Sequence, residues 1–284
     1  MRSVSSSNEI GDTVRRLVPV SAGNLTLRVV SALVLGPAVL ALIYLGPPYF
    51  DILLTAVAAI LTWEWSRLCS HGELDRPGYL AIAVVTAAMA AAGLREYMIA
   101  GWIIAAGAMA VAVLASRQTD RLPFWYVLGI LYTALPCMTI VWLREHPNRG
   151  WEILFWMLFV VWSTDTGAYA AGRLIGGPKL APGISPNKTW AGLVGGTIAA
   201  GAVGALAGLF LLGVSPITLV WVAAGLAVLS QMGDLFESSI KRRFGAKDSS
   251  NLIPGHGGLM DRLDGILAAG PAVALLVWVR GASL

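Results

Sequence analysis

Charge is scarce in this sequence. Asp, Glu, Lys and Arg supply 13% of its 284 residues, about half the share of an ordinary soluble domain. At 57% hydrophobic, with a mean hydropathy of +0.72, the chain has more apolar surface than a water-soluble globule of this length could hide. A bilayer is its expected solvent. Cysteine is scarce as well. Cys69 and Cys137 stand far apart in or beside apolar runs, form no CxxC pair and join none of the three histidines. That excludes a disulfide framework and a zinc cluster, and both read as small buried hydrophobes. The net charge of +4 is scattered between oily runs, so nucleic acid is not an expected partner and the basic residues read as a topology signal. No small-residue cleavage site accompanies the first apolar run, which is therefore read as a retained anchor.

What is present is a series of apolar runs, at 29–45, 50–65, 79–93, 97–115, 122–143, 151–171, 190–213, 216–232 and 266–279. A helix needs about 20 residues to cross a bilayer; the second and third runs are among the shorter ones. The fold class read from them is an all-α integral membrane protein, a polytopic bundle of about nine transmembrane helices. A polar, Ser-rich tail over 1–25 is expected to be disordered. N-terminal helices should fill 26–150, and a C-terminal region, 151–284, carries two longer connections, 172–189 and 238–260. With the N-terminus in the cytoplasm, 16 of the 20 Lys and Arg fall on the inside and 4 outside, the kind of excess that sets orientation. The expected arrangement is N-in and C-out, with both long connections in the cytoplasm. Ala/Gly-rich stretches such as 195–208 should let helices approach closely.

The chemistry-bearing residues gather at those two connections. Asp165 lies inside the sixth run, followed by Tyr169, Gly172 and Arg173, then Ser185-Pro186-Asn187-Lys188-Thr189. An ionisable residue inside a span is expensive and usually faces a polar cavity, although a helix–helix hydrogen bond or an ion pair with Arg173 would also account for Asp165. Gly176-Gly177-Pro178 and Pro182-Gly183 make a turn-rich loop able to bring backbone N–H groups to phosphates. The second stretch is denser. Asp234 and Glu237 share a helix face, Lys241, Arg242, Arg243, Lys247 and Asp248 come next, and then His256-Gly257-Gly258, Asp261, Arg262 and Asp264. Carboxylates at the ends of two spans suit a hard divalent cation, which for Mg²⁺ usually means one or two carboxylates plus substrate phosphates. Lys and Arg would compensate a polyphosphate. A basic cluster beside a membrane is equally a topology determinant or a seat for anionic lipid, but that leaves Asp234, Asp261 and Asp264 at membrane depth unexplained. His256 alone reads first as a turn residue, and the adjacent glycines suggest close backbone approach to something.

At these residues the chain resembles the phosphatidate cytidylyltransferase (CDP-diacylglycerol synthase) family. Ser238, Lys241-Arg242, Lys247-Asp248, Pro254, His256-Gly257-Gly258, Asp261-Arg262 and Asp264 match that family's C-terminal signature without a gap over 27 positions. Upstream, Asp165, Tyr169, Gly172-Arg173, Ser185-Pro186, Lys188-Thr189-Trp190 and Gly192 resemble it too. The chain departs where Asn187 replaces a Lys and Ala191 replaces the usual Glu, and neither position is assigned to the site. The resemblance implies a nucleotidyltransferase of phospholipid biosynthesis. CTP and phosphatidate would give CDP-diacylglycerol and pyrophosphate, with Mg²⁺ and room for an additional monovalent cation. It further implies a homodimer in the lipid bilayer; short loops and no organellar presequence suggest a multi-pass protein of a bacterial-type inner membrane, and the Lys and Arg count puts the active site on the cytoplasmic face. On this reading Asp234, Asp261 and Asp264 are metal ligands, with Asp165 a further candidate, and Asp234, Lys241, Asp261 and Asp264 are catalytic. Arg173, Ser185, Lys188, Lys241, Arg242, Lys247, Asp248, His256, Gly257, Gly258 and Arg262 would bind substrate. The lipid phosphate is a monoester with a second pKa near 6, already anionic at neutral pH, so the transfer needs no general base. What it needs is charge neutralisation and alignment.

Two rival readings share some of these features. A CDP-alcohol phosphotransferase also pairs membrane-edge carboxylates with Mg²⁺, but after Gly172-Arg173 the next acid is Asp234, too far along for that family's pattern. A transporter would use Asp51, Glu64, Asp165 and Glu237 as an ion relay. The halves of the chain show no repeat, and the acids concentrate on one side. Asp51 and Glu64 are left as helix-edge polar contacts.

Overall fold

The computed structural model describes residues 22–118, 122–147, 149–253 and 257–280. Among them are nine helices: α1 (Ala22–Leu45), α2 (Tyr49–Cys69), α3 (Arg76–Gly93), α4 (Tyr97–Gln118), α5 (Pro123–Arg144), α6 (Gly150–Leu174), α7 (Trp190–Phe210), α8 (Pro216–Arg243) and α9 (Met260–Arg280). A two-stranded hairpin, β1 (Lys179–Ala181) and β2 (Ser185–Thr189), separates α6 from α7. Eight helices, α2 to α9, are long and apolar enough to cross a membrane, and α1 adds the apolar stretch Leu33–Leu45. The protein is an all-α polytopic membrane protein. Its outward faces fit that solvent. Trp102, Phe210 and Trp221 are 70%, 82% and 74% exposed, which water would penalise and hydrocarbon does not.

Several elements run differently from the sequence expectation. Helix α8 continues through Lys241 to Arg243, past the expected start of the second connection at 238. The spacing explains it: Lys241 pairs with Glu237 four residues back at 2.6 Å, Ser238 donates to Asp234 at 3.2 Å, and three basic residues in the last turn complement the helix dipole. Helix α9 begins at Met260, so Asp261 lies in its first turn. The turn-rich first connection is shorter than expected, because α6 reaches Leu174 and the remainder folds as the antiparallel hairpin, Lys179 opposite Thr189 and Ala181 opposite Ser185. Thr189 then N-caps α7 by accepting the Gly192 N–H at 3.0 Å. Of the predicted 1–25 tail, residues 1–21 lie outside the described residues and α1 starts at Ala22.

Two close helix crossings bring the charged residues together. A Cβ on Gly196 of α7 would stand 2.7 Å from the Thr164 carbonyl oxygen of α6. One on Gly233 of α8 would stand 2.7 Å from the Asp264 carbonyl oxygen of α9. Small residues therefore allow backbone-to-backbone approach beside the residues that carry charge. The two sequence halves are not separate bodies, since α9 packs on α5 as well as on α6 and α8. At another end of the bundle Asp51 meets Arg95 at 2.9 Å, and Arg95 meets Glu145 at 2.6 Å. Asp51 is thus a structural ion-pair member. Burial pushes the Glu145 carboxyl up from its ordinary range, and the charge of Arg95 opposes that.

Candidate functional site

Helices α8 and α9 lie side by side through Gly233, which brings three acids together. Asp234 and Glu237 come from α8, and Asp264 comes from α9. Each offers an oxygen within 4.8 Å of the others. Carboxylates this close repel one another unless a cation or proton intervenes. Glu237 is fully buried. Its Oε2 is 2.6 Å from Lys241 Nζ, while its Oε1 has no hydrogen-bond partner. Asp264 accepts the Gly265 N–H at 2.7 Å. Asp234 Oδ2 lies 2.6 Å from Lys188 Nζ at the end of β2. Among the described residues, Asp234, Glu237 and Asp264 form an acidic cluster that could hold a divalent cation through hard oxygen ligands.

Asp261 is placed otherwise, although it sits one turn from Asp264. Its Oδ1 accepts from Lys241 at 2.5 Å. Its Oδ2 accepts the Ser249 N–H and hydroxyl, both at 3.0 Å, and the Gly258 N–H at 2.8 Å. The sequence expectation puts Asp261 in the ligand set; it lines the cavity described below, but four protein donors converge on its two oxygens, against Ser238 and Lys188 on those of Asp234. Asp261 and Asp264 tolerate each other because they answer to different partners. Lys241 is 8% exposed and locked between Glu237 and Asp261, so its ammonium serves those carboxylates and does not stand open to a phosphate.

A cavity of about 1150 Å³ opens between α1, α2, α6, β2, α8 and α9. One part is polar, with Asp165, Arg173, Lys188, Asp234, Asp261, Arg262 and Asp264 on its wall. The other is apolar, lined by Leu35, Val39 and Leu40 of α1, Leu53 and Val57 of α2, and Leu158 of α6. Asp165 lies within the electrostatic reach of Asp234, Lys188 and Arg262. Arg173 donates to the Tyr169 hydroxyl at 3.1 Å.

Other expected site residues stand elsewhere. Arg242 donates to the carbonyls of Ile184 at 3.3 Å and Ala246 at 2.9 Å, tying the end of α8 to the hairpin. Ser185 is paired within the hairpin. Lys247 and Asp248 are exposed and are not among the described residues that line the cavity. His256 lies outside the described residues. Gly257 has φ +83°, which favours glycine. At Gly258 a Cβ would stand 2.5 Å from Glu64 Oε1 and closer still to Ser249 Oγ, so the close approach there is to the protein's own side chains.

Three residues in or beside these groups are not evident from the sequence. Spacing puts Glu237 on one face with Asp234 but gives no reason to count it among the ligands. Gln231 lines the cavity, is 6% exposed, and its Nε2 lacks a hydrogen-bond partner. Glu64 accepts from Leu259, Met260 and Ser250. A glutamate inside an apolar run is itself a signal, but its partners lie almost 200 positions away, beyond what spacing reveals.

The sequence pattern of the cytidylyltransferase family matches residues 26–280. The chain is 36% identical over 261 residues to the phosphatidate cytidylyltransferase of Brucella suis biovar 1, covering 91% of this chain and 94% of that one. It is 34% identical over 267 residues to the phosphatidate cytidylyltransferase of Pseudomonas aeruginosa, 89% and 97% of the two chains. With that of Haemophilus influenzae it shares 33% over 279 residues, 86% and 95%. With a match that spans nearly every described helix and both connections of the site, the chain belongs to the cytidylyltransferase family.

Proposed function

We propose that this protein transfers the cytidylyl group of CTP to phosphatidate, giving CDP-diacylglycerol and pyrophosphate. The observation that carries this reading is the two-sided cavity, in which Lys188, Asp234 and Asp264 share a wall with Arg173 and Arg262 while α1 and α2 supply an apolar surface. The two substrates differ in solubility, and a cavity of this composition suits a lipid whose phosphate meets a nucleotide. Acyl chains would lie along Leu35, Val39, Leu40 and Val57, with the phosphate at the charged end.

The residues fit a divalent cation. Asp234, Glu237 and Asp264 would hold Mg²⁺, and the unpartnered Glu237 Oε1 is an acceptor without another use. Bound there, Mg²⁺ would neutralise triphosphate charge and stabilise the pyrophosphate that leaves. Lys188, Arg173 and Arg262 would place the remaining phosphate oxygens. A lipid phosphate oxygen then attacks the α-phosphorus of CTP and the bond to the β-phosphate bridging oxygen breaks. Because the attacking monoester is already ionised at neutral pH, no side chain need take a proton. Asp261 anchors Lys241 and the loop that precedes α9, and Asp165 extends the polar wall. The charged end would face the cytoplasm, in agreement with the Lys and Arg distribution.

The test is pyrophosphate release by the purified protein in mixed micelles supplied with CTP, phosphatidate and Mg²⁺, beside Asp234→Asn and Asp264→Asn. Release that needs both substrates and the cation, and that falls in both variants, is the expected result. A folded parent that releases nothing with phosphatidate would overturn the transferase reading.

A further inference from the structure

We propose that Glu64 is a positioning residue for the transfer, acting from α2 on the first turn of α9. The inference rests on the reading that Asp264, and not a group elsewhere, belongs to the reacting end of the cavity. Glu64 is completely buried. Its Oε1 accepts the Leu259 N–H at 2.8 Å and the Ser250 hydroxyl at 2.5 Å. Its Oε2 accepts the Met260 N–H at 2.6 Å. The first N–H groups of a helix have no partner within it, and a carboxylate there also meets the positive end of the helix dipole. Glu64 therefore does for α9 what an N-cap does, but from another helix.

Its neighbours hold it in place. Trp65 donates to the Trp125 carbonyl at 2.8 Å, and Thr62 and Thr133 share a hydrogen bond at 2.8 Å, so two contacts fix this turn of α2 against α5. On the far side, the loop hangs between two carboxylates. Glu64 holds Ser250, Leu259 and Met260, while Asp261 holds Ser249 and Gly258. Gly258 passes between them, and a Cβ there would meet Glu64 Oε1 at 2.5 Å. The rotation and height of α9's first turn decide where Asp261 meets Lys241, and one turn later where Asp264 faces Asp234 and Glu237. Glu64 itself is not among the described residues that line the cavity. It acts through the backbone of α9.

Glu64→Gln is the informative change because it keeps size and removes one acceptor. Whichever way the amide points, its NH₂ faces either the Leu259 or the Met260 N–H. Two readouts are needed, turnover in mixed micelles and amide hydrogen exchange monitored by mass spectrometry. In Glu64→Gln, kcat should fall about 10- to 100-fold, the range for residues that orient a ligand set, with KM for CTP within about threefold. Amides over 257–263 should exchange at least about tenfold faster while α3 and α4 keep the parent rates. Asp264→Asn serves as the reference. If Asp264→Asn keeps parent activity, the site reading fails; if it loses activity while Glu64→Gln keeps kcat within about twofold, the positioning role alone fails. A uniform rise in exchange across the helices would also overturn it, because that marks a general packing role. Should Glu64→Gln not fold, Ser250→Ala decides: it removes one of the three donors and should give the same kcat loss at smaller amplitude, about two- to fivefold. Parent turnover and parent exchange in Ser250→Ala would then overturn the proposal.

Discussion

Lys188 Nζ lies 2.6 Å from Asp234 Oδ2, joining the end of β2 to the polar part of α8. Lys188 also reaches the Gln231 carbonyl at 3.4 Å. Both charges face the cavity, and a partly exposed pair of this kind adds at most about 1 kcal/mol to stability. Its use is therefore expected in the chemistry. Lys188→Met should leave the melting temperature nearly unchanged while kcat/KM for CTP falls about 100-fold, the order expected when one preorganised charge aimed at phosphate is lost. Lys188→Arg should recover part of it, because a guanidinium still spans the carboxylate and a phosphate. Steady-state pyrophosphate release across the three proteins checks this, and an unaltered kcat/KM in Lys188→Met would remove Lys188 from the site.

On the proposed reading the acids divide into two sets, and the division is measurable. Chelation should abolish turnover and added Mg²⁺ should restore it. Asp234→Asn and Asp264→Asn should raise the Mg²⁺ concentration for half-maximal rate about tenfold or more. Asp261→Asn should lose activity with that concentration within about threefold of the parent, since Asp261 holds Lys241, Ser249 and Gly258 and its effect is on geometry. A large shift in Asp261→Asn, with none in Asp264→Asn, would exchange their roles.

Lys241 offers a stability prediction independent of catalysis. Its ammonium is the shared partner of Glu237 at 2.6 Å and Asp261 at 2.5 Å, all three well buried. Lys241→Met strands two carboxylates, and breaking a buried pair in this way typically destabilises by about 3–5 kcal/mol. The thermal midpoint in detergent should fall accordingly. Adding Glu237→Gln should recover part of the loss, because one stranded charge is gone while Asp261 keeps its loop donors. A double variant no more stable than Lys241→Met would show that Glu237 contributes nothing to the loss.

The membrane fold is legible in the sequence because long apolar runs are a one-dimensional signal. Part of the chemistry is legible for a related reason: Asp234 lies at the end of one span and Asp264 at the start of the next, so their approach needs only that α8 and α9 be neighbours. The parts that are not legible depend on distant pairing. Nothing near Glu64 in the chain points to Met260, and nothing near Asp51 points to Arg95. Asp261 and Asp264 look equivalent by spacing, and only the loop that folds back over Asp261 separates them. The Gly-Gly-Pro and Pro-Gly turns suggest a phosphate loop; in the structure the first leads into a hairpin and the second lies in its turn, and the hairpin's last residue caps α7 while its penultimate residue, Lys188, reaches Asp234.

The orientation can be tested by chemistry rather than by counting charges. Cys69 and Cys137 are both buried, so the unmodified protein should react poorly with a membrane-impermeant maleimide and introduced thiols can be read against a quiet background. Leu94, in the turn after α3, is 76% exposed; Lys247, past the end of α8, is exposed as well. In intact cells the reagent should label Leu94→Cys and spare Lys247→Cys, and permeabilised cells should label both. The opposite pattern would put Lys188, Asp234 and Asp264 at the face away from the cytoplasm. CTP is made and kept in the cytoplasm, so that result would overturn both the N-in arrangement and the proposed supply of nucleotide to this cavity.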